Sequence, residues 1–242
     1  MPTEAATLAL AWAGEQLLLD GERALAWPAR STVVVADVHL GKDGAFRRAG
    51  YALPAGETQV DLERLGRLVE RHRARRLLVL GDFVHAPPTA ADPLLAALAQ
   101  WLAARPSLAL EVVIGNHDRP SAGAPLSSLV QWRAEGLREG PFEWRHAAAA
   151  TSDPAAHQVC GHVHPALRLR SGPHSLRLPV FALESRRLTL PAFAGFSGGA
   201  NPQVQDAARF FAVVDGSVLA LPEGSPQAQG RRRSAPGHRH KP

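Results

Sequence analysis

Hydrophobic and polar positions follow two different rhythms along the chain, and the change comes near Phe142. Before it, short β-branched runs alternate with stretches of helical period. Leu8–Trp12 and Gln16–Asp20 alternate loosely, Asp20-Gly21 marks a turn, Arg23–Trp27 comes next, and Pro28 ends a predicted hairpin over residues 6–27. Ser31–Ala36 reads as a first core strand, and Leu77–Leu80 and Glu111–Ile114 as two more buried strands. Between them, Glu57–Arg73 has helical spacing, with Val60, Leu65, Leu68, Val69 and His72 on one side. A second helix opens at Asp92-Pro93, an N-cap followed by proline at the first position, and carries a stripe of Leu94, Leu95, Leu98, Trp101 and Leu102. Pro125–Glu135 predicts a third, shorter helix stopped by Gly136. Leu40–Pro54, punctuated by Gly41, Gly44 and Gly50, reads as a long loop facing substrate.

From Phe142 the helical period is lost. Phe142–His146, Gln158–Cys160, Ala166–Arg170, Leu176–Leu183, Arg187–Leu190, Phe210–Val214 and Ser217–Leu221 read as short strands, the last two joined by an Asp215-Gly216 turn. The order β-α-β-α-β-α, then mostly β, predicts an α/β fold of two stacked sheets with helices outside, in one domain over residues 1–221.

The chemistry is concentrated at the C-terminal ends of these strands. Val33–Val35 run into Asp37 and His39, Leu77–Leu80 into Gly81 and Asp82, Val112–Ile114 into Gly115-Asn116-His117-Asp118, and Val159–Gly161 into His162 and His164. Ligand sites of open α/β sheets lie at the C-terminal strand ends. Four such ends with carboxylate, carboxamide and imidazole groups are best explained by one shared metal site. That donor mixture suits Mn, Fe or Zn better than Ca or Mg. The number of donors exceeds one ion's needs. Two ions roughly 3.5–4 Å apart, bridged by a carboxylate, fit it, as in many phosphatases and nucleases.

Composition limits the setting. Of 242 residues 45% are hydrophobic, ample for a packed core. The single cysteine, Cys160, excludes an internal disulfide and fits a reducing compartment; it reads as a small core residue. No apolar run reaches the ~20 residues of a membrane span, and no secretory signal is evident, so a soluble, cytoplasmic protein with no membrane partner is expected. The net charge of +5 is uneven. Residues 222–242 hold Arg231, Arg232, Arg233, Arg239 and Lys241 against Glu223, a net +4, which leaves +1 for the body. This Pro-, Gly- and Arg-rich tail is expected to be disordered and solvated. The run Arg71–Arg76 reads as a helix end that complements the helix dipole.

Jointly the four blocks resemble the calcineurin-like metallophosphoesterase superfamily, over Ser31 to about Pro165. D-x-H or G-D alone would be weak; G-N-H-D with a later G-H-x-H is strong. The resemblance implies a four-layer α/β/β/α sandwich of two mixed β-sheets flanked by helices, with a dimetal centre at the strand ends. It implies that Asp37, His39 and His164 hold one metal, that Asp82 bridges, and that Asn116 and His162 hold the second with one more histidine. His146 and His157 both lie between the last two blocks. We take His146, which ends the strand Phe142–Arg145, as that ligand. The resemblance makes His117 the group that protonates the leaving oxygen, with Asp118 orienting it, in keeping with an imidazole near neutral pKa. His85, Arg47 and Arg48 are further candidates to face substrate.

A finer likeness covers nearly residues 6–221. Ala36–Lys42 (A-D-V-H-L-G-K), Arg47–Gly50 (R-R-x-G), Leu80–His85 (L-G-D-F-V-H), Gly161–Pro165 (G-H-V-H-P) and Leu190–Gly199 (L-P-A-F-x-x-F-S-G-G) resemble the bacterial ligase-associated DNA damage response group of phosphoesterases or endonucleases. This implies a manganese-dependent phosphodiesterase that attacks DNA with metal-bound hydroxide, beside a DNA ligase, a helicase-like protein and another nuclease in DNA repair. Two other functions fit the same residues: a phosphodiesterase or phosphatase for small nucleotides, favoured by the near-neutral body, and a catalytically silent binding scaffold. In one departure, Ala147–Ala150 stand where the group carries an acidic residue and proline after the histidine.

Overall fold

β-Branched runs and tight turns lay down a first sheet whose strands lie side by side in chain order: β1 (Thr7–Trp12), β2 (Glu15–Asp20), β3 (Ala24–Trp27), β4 (Thr32–Val35), β5 (Arg76–Leu80), β6 (Ala109–Val113) and β7 (Gln131–Arg133). The computed structural model describes residues 7–222 except 49, 52–55, 120–124, 151–152, 154, 172–173, 196–198 and 205–207. β1 to β4 form an antiparallel meander, and β4 to β7 are parallel. Val34 pairs with Leu78, and Leu78 with Glu111, so these strands stay in step and end level with one another. β4 is buried along its length, as expected of a parallel strand covered on both faces.

Helices α2 (Glu57–Arg71) and α3 (Pro93–Ala103) cover the outer face. Leu62, Leu65, Leu68, Leu98 and Trp101 share one core with Val33, Val35, Leu77 and Val79. Asp92 caps α3 by accepting the Leu94 N–H (3.0 Å). Val60, expected on the buried face of α2, is 50% exposed, and Leu62 takes its place.

The second sheet comprises β8 (Leu137–Glu139), β9 (Phe142–Trp144), β10 (His157–Cys160), β11 (Ala166–Ser171), β12 (His174–Leu183), β13 (Arg187–Thr189), β14 (Arg209–Val214) and β15 (Ser217–Ala220). Its order is β15-β14-β12-β13-β10-β9-β8, with β11 paired to β12. β9, β10 and β13 are parallel and the other pairs antiparallel, so this sheet too is mixed. The sheets pack through Trp27, Leu78, Phe142, Trp144, Phe181 and Phe211. Burial of each such side chain contributes about 1.5–3 kcal/mol. The α/β sandwich of two mixed sheets is therefore as expected. The α-helices among the described residues all precede β6, and the second sheet carries a separate apolar cluster of Leu167, Leu178, Val180 and Phe210.

Two segments depart from the sequence reading. Leu40–Pro54 is not all loop: Lys42–Arg48 forms helix α1 despite Gly44. The Asp43 carboxylate explains this, because it accepts from Arg47 Nη1 (3.0 Å), Thr58 Oγ1 (3.0 Å) and the Gly56 N–H (3.3 Å). Those bonds tie α1 to α2 and outweigh the ~1 kcal/mol that glycine costs a helix. Pro125–Glu135 is not a helix but a 3-10 turn, Leu126–Ser128, followed by β7. There the backbone pairs with β6, Glu111 opposite Gln131, which covers an otherwise open sheet edge.

A crossing segment joins the sheets beneath the strand ends. After β13, the Leu190 N–H donates to Cys160 O (2.7 Å), the Phe193 N–H to Ala36 O (2.8 Å) and the Ala194 N–H to Asp37 O (3.2 Å). Phe193 is buried, with the Arg64 guanidinium 4.0 Å above its ring. Among the described residues, no helix is long and apolar enough to cross a membrane. Residues 223–242, nearly the whole basic tail, lie outside the described residues.

Candidate metal centre

Five strands end at one place: β4, β5 and β6 of the first sheet, β9 and β10 of the second. Each is followed within four residues by groups that converge there. Asp37, His39 and His164 place one ligand atom each within 4.8 Å of one another, and so do Asp82, His146 and His162. The groups adjoin. Asp82 Oδ2 lies 3.9 Å from His39 Nε2, and its Oδ1 lies 3.5 Å from His146 Nε2. A carboxylate facing both sets is placed as a bridge would be.

The backbone is bent to achieve this. Asp37, His39, Asp82, His162 and His164 all have positive φ, between 46° and 70°, five of the ten such non-glycine residues described. Each costs on the order of 1–3 kcal/mol and persists only where its surroundings enforce it. Here they do. The Asp37 N–H donates to Gly81 O (3.2 Å), the His39 N–H to Asp82 O (2.8 Å), and the His162 N–H to Asp37 Oδ2 (2.9 Å). The motif glycines permit close approach. A Cβ on Gly115 would stand 2.4 Å from the Asp82 amide nitrogen, and one on Gly161 would stand 2.6 Å from Asp37 Oδ2.

The donor set fits divalent cations. Asp37 Oδ1 is buried without a hydrogen-bond partner. His146 donates from Nδ1 to Leu80 O (3.0 Å), which leaves its Nε2 lone pair facing Asn116 Oδ1 (2.8 Å) and His162 Nδ1 (2.9 Å). A lone pair facing a carboxamide and a second imidazole is placed for a cation, and an imidazole anchored through its other nitrogen is the usual form of a metal ligand. Burial, with His164, Lys42, His117 and His85 nearby, pushes His39 down to about 3. It is therefore neutral at physiological pH, its contact with Asp82 is not an ion pair, and it is ready to ligate.

His117 projects beside this centre. Its N–H donates to Asp82 Oδ1 (3.0 Å) and its ring Nδ1 to His85 O (3.1 Å), so Nε2 is the free end. The expected orienting group, Asp118, does something else. Its carboxylate accepts the Phe83 (2.9 Å), Val84 (3.3 Å) and Gly115 (3.0 Å) N–H groups, clamping the loops that carry Asp82 and Asn116. Burial pushes Asp118 up to about 6, against the lowering effect of those backbone donors. The carbonyl of His85, rather than Asp118, holds the His117 ring.

His85 also stacks its ring on His117 (5.5 Å, 21°) and on Phe46 (5.6 Å, 28°). His157 starts β10, away from the centre, edge-on to Trp12 at 5.2 Å. Arg47 is bonded to Asp43, and the Arg48 side chain lies outside the described residues. Cys160 is buried against Thr189, and burial pushes its thiol up to about 11. The segment read as facing substrate does line a cleft beside His39, about 350 Å³ in volume, but sequence reasoning did not single out Phe46, Tyr51 or Asp61 there. Two aromatic residues, one inside α1 and one just after it, were the available signal.

The nuclease MPE of Pseudomonas putida has the same architecture: it is 33% identical, covers 89% of this chain and all of its own, and superposes with a TM-score of 0.77. The chain belongs to the calcineurin-like metallophosphoesterases. It is accordingly a metal-dependent phosphoesterase. More distant likenesses are the Escherichia coli phosphoesterase YfcE (17% identical, 78% of this chain and 96% of that one, TM-score 0.41) and Vps29 of Entamoeba histolytica (18%, 78% and 96%, TM-score 0.34). No family model and no curated relative matches the sequence.

Proposed function

We propose that this metallophosphoesterase is a DNA endonuclease that works on two metal ions, with manganese as the native metal, in ligase-associated DNA repair. The observation that carries the reading is the double donor group around Asp82 in a chain 33% identical over its length to a nuclease. Asp37, His39 and His164 would hold one ion, and Asn116, His146 and His162 the other, with Asp82 between them. Bound there, divalent cations would neutralise the phosphoryl oxygens and acidify an attacking water. The protein's own groups do the rest. His117 carries a proton on Nε2 to the departing oxygen, held in orientation by His85 O. Asp118 fixes the loops from which Asp82 and Asn116 project. A DNA ligase, a helicase-like protein and a second nuclease are the proposed partners, and the cytoplasm the proposed compartment.

The test is a substrate panel with added manganese: single-stranded DNA, duplex DNA and bis-p-nitrophenyl phosphate, with metal content measured on the same preparation. The reading expects two ions per chain and DNA cleavage lost in His117→Ala. Intact DNA beside hydrolysed small diester would replace it with a small-nucleotide phosphodiesterase.

A further inference from the structure

Two clefts flank the Asp37–His39–His164 group and share Gly195, but their chemistry differs. The first, bordered by His39, is lined by Phe46, Tyr51, Ala194 and Glu57, and by Asp43 and Asp61, whose carboxylates are already paired with Arg47 and Arg64. The second, bordered by His164, occupies about 170 Å³ and is lined by Arg23 and Arg177. A phosphate suits the second. What suits the first is a flat ring laid against its aromatic side chains.

The aromatic pair meets edge to face, which leaves Tyr51 as the ring open to a ligand. The Tyr51 N–H donates to Phe46 O (3.0 Å), turning the chain back after α1. That turn sets the rings 5.5 Å apart at 62°. Tyr51, the only tyrosine of the chain, is 62% exposed, among the most exposed large side chains described. Phe46 in turn continues through His85 to His117, so anything seated on this pair is joined to the leaving-group acid by a column of rings. The cleft volume lies near the lower end of the roughly 300–1,000 Å³ of small-molecule pockets. That is room for one base with its sugar.

Resting on the nuclease reading above, we propose that the Phe46–Tyr51 cleft seats one unpaired nucleobase of the strand being cut, beside the scissile phosphate. Aromatic rings supply a sequence-tolerant stacking platform. The arginine-lined cleft across Gly195 takes the neighbouring phosphate. A base held in a duplex cannot reach this seat, so the enzyme acts on single strands or on bases already out of the stack.

The test compares a single-stranded oligonucleotide with a strand of equal length built of tetrahydrofuran abasic units, both with manganese. Wild-type protein should cut the base-bearing strand with a kcat/KM roughly 10-fold higher. Tyr51→Ala should abolish that preference and Tyr51→Trp should keep it. As a readout apart from turnover, a 5-iodouracil strand irradiated on the protein should cross-link to Tyr51 or Phe46. Equal cutting of both strands by wild type, an unchanged preference in Tyr51→Ala, or cross-links only elsewhere would overturn the cleft assignment and leave the nuclease standing. Failure to cut either strand while a small diester is hydrolysed would overturn the nuclease reading and the cleft with it.

Discussion

His146 Nε2 lies 2.9 Å from His162 Nδ1, with the rings 4.6 Å apart and nearly perpendicular. Since His146 donates its other nitrogen's proton to Leu80 O, this contact and the one to Asn116 Oδ1 converge on a single lone pair. A cation relieves that crowding, so metal should stabilise the fold. Ligand at 100 times its Kd adds about 2.7 kcal/mol, and each kcal/mol moves the Tm of a chain this size by about 2–4 °C. Adding manganese to chelator-treated protein should therefore raise Tm by roughly 5–10 °C. His146→Ala should bind about one ion fewer and lose a large part of that rise. A Tm indifferent to manganese would contradict the site.

Gly115→Ala tests the close approach at the bridge. The new methyl would stand 2.4 Å from the Asp82 amide nitrogen and 2.5 Å from Asp82 Oδ1, so either the loop or the carboxylate must shift. Overpacking of this kind costs about 1–3 kcal/mol. The expected result is a folded protein, less stable in urea, whose activity falls far more than its stability. Full activity with manganese would show that the loop has slack that the distances deny.

The role of His117 can be read from the leaving group. If Nε2 delivers a proton to the departing oxygen, His117→Ala should cost about 10²–10⁴-fold on DNA, whose sugar alkoxide leaves poorly. It should cost much less on bis-p-nitrophenyl phosphate, whose nitrophenolate leaves unaided. Metal content should stay unchanged, because the backbone N–H of residue 117 still donates to Asp82. Equal losses on both substrates would point to a metal-site defect instead.

The candidate centre was legible in the sequence for a physical reason: each candidate ligand lies just past a buried strand, and apolar runs are easy to see. Asp37, Asp82, Asn116 and His162 come almost directly after β4, β5, β6 and β10. His146 was distinguishable from His157 by the same logic, one at a strand's end and the other at a strand's start. Features resting on tertiary bonds were not legible. Helix α1 depends on Asp43 reaching Thr58 and Gly56, and β7 on an open edge of β6 that the sequence around Leu126 does not announce. The hold on His117 comes from the backbone of His85, which carries no side-chain signal. The Arg71–Arg76 run resolves into ion pairs, Arg71 with Asp20 and Arg76 with Glu111.

Asp20 supplies the acid limit of stability. It is fully buried and accepts Arg71 Nη1 at both oxygens (3.1 and 2.9 Å), the Glu22 N–H (2.8 Å) and a bond from His72 Nε2 (2.8 Å). Burial alone would push its pKa up; His72, the Glu22 N–H and Arg71 together outweigh it and hold the carboxyl below its ordinary value. A folded pKa lower than the unfolded one adds stability that is complete above the unfolded value, about 3.9, and disappears as pH falls through the folded value. Asp20→Asn removes the charge but leaves Arg71 in place, part-exposed and still paired with Glu22, so the cost at neutral pH should fall below the ~3–5 kcal/mol of a fully buried pair broken on one side. The deficit should hold between pH 5 and 7 and shrink below pH 4, as wild type loses the same charge. Urea unfolding at pH 7, 5 and 3 measures it. A deficit that stays constant down to pH 3 would mean that Asp20 acts through shape and neutral hydrogen bonds, and that the acid sensitivity of the fold originates elsewhere.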